Sequence, residues 1–78
     1  MDLLSIRGKI TELKDRDAAL PDIILDIAAA APSVKVEVEV NNKDMSASVR
    51  LSGRNSHVHK ARRALMKTVS EKGGLIRF

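Results

Sequence analysis

Residues 52–67, SGRNSHVHKARRALMK, contain the side chains best suited to binding an anionic ligand. This stretch contains five bases: Arg54, Lys60, Arg62, Arg63 and Lys67. Lys60, Arg63 and Lys67 are spaced to share one stripe of a helix, and the other two bases border it. No acid occurs between positions 45 and 70, whereas a helix face that is only solvated usually mixes the two signs of charge. The pattern favours a site for phosphate groups.

The residues just ahead of this helix are small or polar: Ser52, Gly53, Asn55 and Ser56. Such residues leave the backbone N–H groups of a helix start accessible, and these donors attract phosphate together with the helix dipole. We therefore expect an anion-binding helix start here. An ordinary N-cap after a strand explains the same residues, and no P-loop pattern is present.

Metal and catalytic chemistry are disfavoured by the residue types. His57 and His59 lie two positions apart, so on a helix they do not face each other, and the chain has no cysteine. Glu37 and Glu39 are explained by cross-strand pairing with bases such as Arg50. The serines near the histidines form no recognised nucleophile motif. We expect no metal site, no cofactor and no enzymatic activity.

The charge of the chain is uneven. The formal net charge is +4, yet residues 1–33 hold four bases against six acids. Residues 52–78 hold seven bases and a single acid, Glu71. A polyanion would therefore bind to the last third of the chain.

Aromatic residues are nearly absent, since Phe78 is the only one. Sheet-based RNA readers stack bases on aromatic side chains, so that mode of recognition is excluded. What remains is contact with the phosphate backbone. A core without large aromatics also buries little area, which leads us to expect a homodimer.

The central segment predicts an antiparallel hairpin. VKVEVEV, residues 34–40, alternates apolar and charged side chains, and MSASVRLS, residues 45–52, continues the pattern after the turn-forming NNKD. We expect the valines of the first strand on the inward face, and in the second strand four apolar residues: Met45, Ala47, Val49 and Leu51.

Two helices flank this hairpin. The first is expected to have Asp17 as its N-cap and to stop at Pro32, with a buried stripe of Leu20, Ile24, Ile27 and Ala31. The second is expected over residues 56–72, capped by Asn55 or Ser56 and ended by Gly73 and Gly74. Its expected core face is Val58, Ala61, Leu65 and Val69. The final LIRF is expected to be a strand.

The first dozen residues fit either a strand or a helix. A strand is favoured because a lone two-stranded hairpin needs a partner. The chain then forms one α+β domain over residues 1–78, a two-layer sandwich with two helices on one face of an antiparallel sheet. This is the ferredoxin-like order β-α-β-β-α-β. A helix at the start gives the alternative KH-like order α-α-β-β-α.

Three families resemble parts of this chain. KDRDAALPDIILDIA resembles the start of an ACT domain, in which an Asp-Arg pair precedes a helix with regulatory and dimer contacts, although the usual following glycine is missing. Residues 34–72 are similar in pattern to KH domains, without their GxxG loop, and in order to the small dimerising subunit of the KEOPS tRNA-modification complex. No specific motif carries these resemblances, so the sequence assigns no family.

We therefore expect a small non-enzymatic nucleic-acid-binding domain, with RNA or a ribonucleoprotein favoured over DNA. The alternative is a homodimeric protein-interaction or regulatory subunit of a larger complex, ACT-like or KEOPS-small-subunit-like. No apolar run reaches the length of about 20 residues that a membrane span needs. The start of the chain lacks the pattern of a secretory signal. A cytoplasmic protein without membrane contact is the expectation.

Overall fold

The computed structural model describes residues 2–78 as an α+β sandwich. Its elements are β1 (Leu3–Thr11), α1 (Arg16–Ala30), β2 (Lys35–Asn41), β3 (Ser46–Arg54), α2 (Asn55–Glu71) and β4 (Leu75–Arg77). The four strands form one antiparallel sheet in the order β2-β3-β1-β4. The predicted β-α-β-β-α-β order is confirmed, and the first segment is a strand, as favoured.

One face of the sheet and one stripe of each helix form a single core. β1 pairs with β3 from Leu3 opposite Arg54 to Ile10 opposite Ala47, which places the apolar residues of both strands on the same face. The buried cluster is entirely aliphatic: Ile10, Ala19, Leu20, Ile23, Ile27, Ala31, Val34, Ala47, Val49, Leu51, Val58, Ala61, Leu65 and Val69. In the described part of the chain, no helix is long and apolar enough to cross a membrane.

Helix α1 starts two residues earlier than predicted. Asp15, not Asp17, is the N-cap, and its carboxylate accepts a hydrogen bond from the backbone N–H of Ala18 at 3.3 Å. The predicted inward position of Ile24 is also wrong, because that side chain is 37% exposed while Ile23 is fully buried. Ile23 completes a stripe with Leu20 and Ile27 at helical spacing, and Ile24 lies one position farther around the helix.

The β2–β3 turn is displaced by one residue from its predicted place. Strand β2 continues through Asn41, and β3 begins at Ser46, so the turn covers residues 42–45. Met45 has a φ of 58° and is 56% exposed, contrary to its predicted inward position. As the last turn residue it adopts a left-handed backbone and leaves the alternation of the strand.

Helix α2 has the predicted core face, since Val58, Ala61, Leu65 and Val69 are all buried. Its N-cap is Arg54, without a side-chain capping hydrogen bond, and not Asn55 or Ser56. At the other end Gly73 takes a φ of 77°, the left-handed conformation that commonly ends a helix. Backbone N–H groups of residues 73 and 74 then donate to carbonyls of the last turn.

Arg16 is a buried cation that joins α1 to the hairpin. Its guanidinium donates to the carbonyl oxygens of Asn41 at 3.2 Å and Ser46 at 3.4 Å, and to Oδ1 of Asn42 at 2.6 Å. It also pairs with Asp17 at 3.1 Å. The side chain therefore satisfies acceptors at both ends of the β2–β3 turn and holds that turn against the start of α1.

We expect Arg16→Ala to lower the free energy of unfolding by about 2–3 kcal/mol, because charged hydrogen bonds to the turn are lost. Urea denaturation measures this change. The matched control is Arg63→Ala at an exposed helix position, which should change stability by less than about 0.5 kcal/mol. Equal effects of the two substitutions would contradict the joining role of Arg16.

Asp44 is the acid whose ionisation is coupled to the turn. The hydroxyl and backbone N–H of Ser46 donate to its Oδ1 at 2.6 and 3.1 Å, and Lys9 Nζ lies 3.1 Å from its Oδ2. The hydrogen bonds from Ser46, followed by the contact with Lys9, lower the pKa of Asp44 from 3.8 to about 2. These donors favour the ionised carboxylate in the folded chain.

A lowered pKa in the folded state means that Asp44 contributes stability above its ordinary pKa. That contribution is lost as the pH falls from about 4 through about 2. We expect Asp44→Asn to be less stable than the wild type at pH 5, and the difference should shrink on acidification through this window. Urea denaturation at a series of pH values tests it, and a difference independent of pH would refute the assignment.

Candidate nucleic-acid interface

The outer face of α2 carries the predicted stripe of Lys60, Arg63 and Lys67. All three residues are exposed, because the buried side of the helix faces the sheet and α1. The ion pairs formed within residues 2–78 involve Lys9, Arg16, Lys35 and Lys72, and none involves the stripe. These three predicted residues therefore share one exposed face of α2, outside the ion pairs of the described residues.

The C-terminal end of the stripe has a different setting. Lys67 lines a groove between the two helices together with Asp26 and Glu71. In this groove Oδ2 of Asp26 accepts a hydrogen bond from the hydroxyl of Thr68 at 2.9 Å. The nearby carboxylates weaken the positive potential at Lys67 relative to that at Lys60 and Arg63.

Arg62 is engaged in packing. Its guanidinium lies 4.9 Å from the centre of the Phe78 ring, a cation–π contact. Gly8 of β1 makes room for this ring, since a Cβ at that position would come within 3.0 Å of Phe78 and of Ile76. Arg62 was predicted to take part in anion binding beside the stripe. That role would compete with its contact to Phe78.

Arg54 lies apart from the stripe. It ends β3 opposite Leu3 of β1. Because Val49 and Leu51 point into the core, the alternation of the strand directs the side chain of Arg54 toward the face of the sheet without helices. The structure thus separates this predicted site residue from Lys60 and Arg63.

The residues predicted as an anion-binding helix start do not converge on one point. The N–H of Asn55 donates to the carbonyl of Asp2 at 2.7 Å. The Ser52 hydroxyl lies 3.3 Å from that of Ser5 on the open sheet face, while Gly53, with a φ of 152°, lies near Ser33 on the other side. Asn55 and Ser56 are both exposed in the first turn of α2.

The two histidines also have different surroundings. Nδ1 of His57 lies 2.7 Å from the hydroxyl of Ser33, which links α2 to the connection between α1 and β2. His59 is exposed. Among residues 2–78, no three His, Cys, Asp or Glu side chains are grouped so that they could hold a metal ion.

The open face of the sheet carries a second set of charges, which the sequence-based predictions did not include as a surface. Its outward bases are Arg7, Lys9, Lys35, Arg50, Arg54 and Arg77. The register places Arg7 opposite Arg50, and Arg50 opposite Glu37 on its other side. A hollow of about 110 Å³ lies among Arg7, Glu37, Glu39, Ser48 and Arg50. The alternation of polar or charged residues with Ile and Gly in SIRGKI, residues 5–10, is the pattern from which this surface could have been predicted.

Acids make the open face mixed in sign. Glu37 was expected to pair across the strands with Arg50, but its carboxylate pairs along its own strand with Lys35, at 3.6 Å. Lys9 pairs with Asp44. The outer face of α2 is therefore the more uniformly basic of the two surfaces.

These features define an antiparallel α+β sandwich with a basic helix on its outside. No protein-family model matches the chain, and no curated protein matches it. The structure is similar to a de novo designed protein, Foldit4, with a TM-score of 0.64 and 15% sequence identity, over 97% of this chain and 94% of that one. At this level of identity the similarity shows the fold alone.

Proposed function

We propose that this chain is a small non-enzymatic domain that binds nucleic acid, RNA ahead of DNA, through the outer face of α2. The observation that supports it is the exposure of Lys60, Arg63 and Lys67 outside the ion pairs formed by the described residues. Lys9, Lys35 and Lys72, by contrast, each have a carboxylate partner. When bases without such partners neutralise phosphates, the counterions condensed on the nucleic acid are released, which favours binding.

The dimensions of the stripe fit a short run of phosphates. At a rise of 1.5 Å per residue, Lys60 and Lys67 are about 10 Å apart along the axis of α2. Successive charges on one strand of a DNA duplex lie about 3.4 Å apart along its axis, so the stripe spans on the order of three phosphates. Binding of this kind depends on charge and shape.

Base recognition has little support in this chain. Phe78 is the single aromatic, and its ring lies against Gly8 and under Arg62, so the chain has no row of aromatic side chains on which successive bases could stack. Duplex RNA is bound mainly through its backbone and shape. RNA is placed ahead of DNA because duplex RNA is bound mostly by shape, 2′-hydroxyl and phosphate contacts, whereas sequence-specific DNA binding needs contacts to base edges.

Catalysis is not proposed, although Ser33 and His57 form a serine–histidine contact. A nucleophilic serine needs a base that a third group orients. Within residues 2–78 the hydrogen bonds of the His57 ring include only the one to Ser33. Ser33 is also exposed to water. The contact is better explained as a link between α2 and the segment that leads into β2.

The test compares two variants with equal loss of charge. Lys60→Gln, Arg63→Gln and Lys67→Gln together lower the net charge from +4 to +1, and so do Arg7→Gln, Arg50→Gln and Arg77→Gln on the open face. Gln is a good helix former, so the first variant should keep α2 folded. Circular dichroism of both variants checks the fold.

Fluorescence anisotropy with a labelled RNA duplex, at two salt concentrations, then gives the affinity and its salt dependence. For the α2 variant we expect weaker binding and a salt slope smaller by about three units, one phosphate contact being lost for each of the three bases. The open-face variant should keep most of the affinity and the slope. Equal slopes for the α2 variant and the wild type would refute this proposal.

A further inference from the structure

Strand β2 is an edge strand with an unpaired side. It lies at one end of the sheet order, and all seven of its residues pair with β3 on the other side. The opposite edge, β4, has only three residues and offers few backbone groups. The charges of β2 all point to the open face, and it contains neither a proline nor an inward charge, two common means of blocking edge pairing.

The core side of this edge is incompletely covered. Val36 and Val38 are only partly buried against the core, and Val40 is 50% exposed. On α1, Asp22 and Asp26 mark the side that contacts α2. Ile24 is two residues from each of them and therefore lies on the far side of α1, toward β2. It is exposed, as is its neighbour Leu25.

Ile24 and three valines form an apolar strip along the β2 edge: Ile24, Val36, Val38 and Val40. We propose that β2 pairs antiparallel with β2 of a second copy of this chain, about a two-fold axis, so that the two sheets become one. The same contact brings the apolar strips of the two copies together on the helical face. A two-fold axis joins a surface to itself, so one free edge and one strip are enough.

The charges on the open face of β2 select the register. With the axis at Glu37, Lys35 of each copy lies opposite Glu39 of the other, and Val36 lies opposite Val38. The two Glu37 side chains then meet, flanked by Lys35 and by Arg50 of β3. An axis at Val38 instead places Glu37 opposite Glu39 twice and leaves Lys35 opposite Asn41. Like charges directly opposite are destabilising. The axis at Glu37 brings one such pair together against two at Val38, and it adds two Lys35–Glu39 pairs of opposite charge, so it is favoured.

Charge reversal and rescue tests the pairing. We expect a dimer in the micromolar range by sedimentation equilibrium, and about tenfold weaker association for Lys35→Glu or for Glu39→Lys alone, because each places like charges opposite at two positions. The double variant should restore association. Arg77→Glu, a charge reversal on the other edge strand, is the matched control and should leave association unchanged.

A second experiment uses the absence of cysteine in the chain. Glu37→Cys lies on the proposed axis and should oxidise to a disulfide-linked dimer, whereas Arg77→Cys on β4 should stay monomeric under the same conditions. A mass of 8.5 kDa for the wild type at all micromolar concentrations overturns the proposal. So does a dimer whose association is not restored in the double variant, because that result places the interface on another surface.

Discussion

The contact between the central strands and the helices fixes the direction of nearly every side chain in this fold. β1 and β3 are paired along eight positions, and Ile10, Val49 and Leu51 lie on their common inward face. With no aromatic in the buried cluster, the core depends on close packing of many small aliphatic groups. Once that face is turned toward the helices, alternation sends each intervening residue of the strands to the open side.

This arrangement separates charge into two surfaces. Bases on the strands are directed to the open face, where Glu37, Glu39 and Asp44 neutralise part of their charge. Bases on α2 are directed away from the core and meet few acids, because Asp22 and Asp26 of α1 are held at the helix–helix contact by Lys72 and Thr68. The proposed interface follows from this separation, and the proposed self-association follows from the edge of the same sheet.

The periodicity of the sequence was enough to predict the order of the elements and the core of α2. Periodicity failed where a tertiary contact determines which side chain is buried. Ile23 and Ile24 are equally apolar, and only the orientation of α1 distinguishes them. Arg16 is 6% exposed because its hydrogen bonds are to a turn 25–30 residues away, and a basic residue is by default expected at the surface. The contact of Arg62 with Phe78 likewise joins residues distant in the sequence, so local periodicity does not predict it.

The central claim is that a nucleic acid contacts the outer face of α2. The most direct measurement is an NMR titration of the ¹⁵N-labelled chain with a short RNA duplex at low salt. The account predicts that the amide shifts change most between residues 59 and 68 of α2, and little on β1 and β3. Changes concentrated on Arg7, Arg50 and Arg77 of the open face, or an absence of changes at saturating RNA, would contradict it.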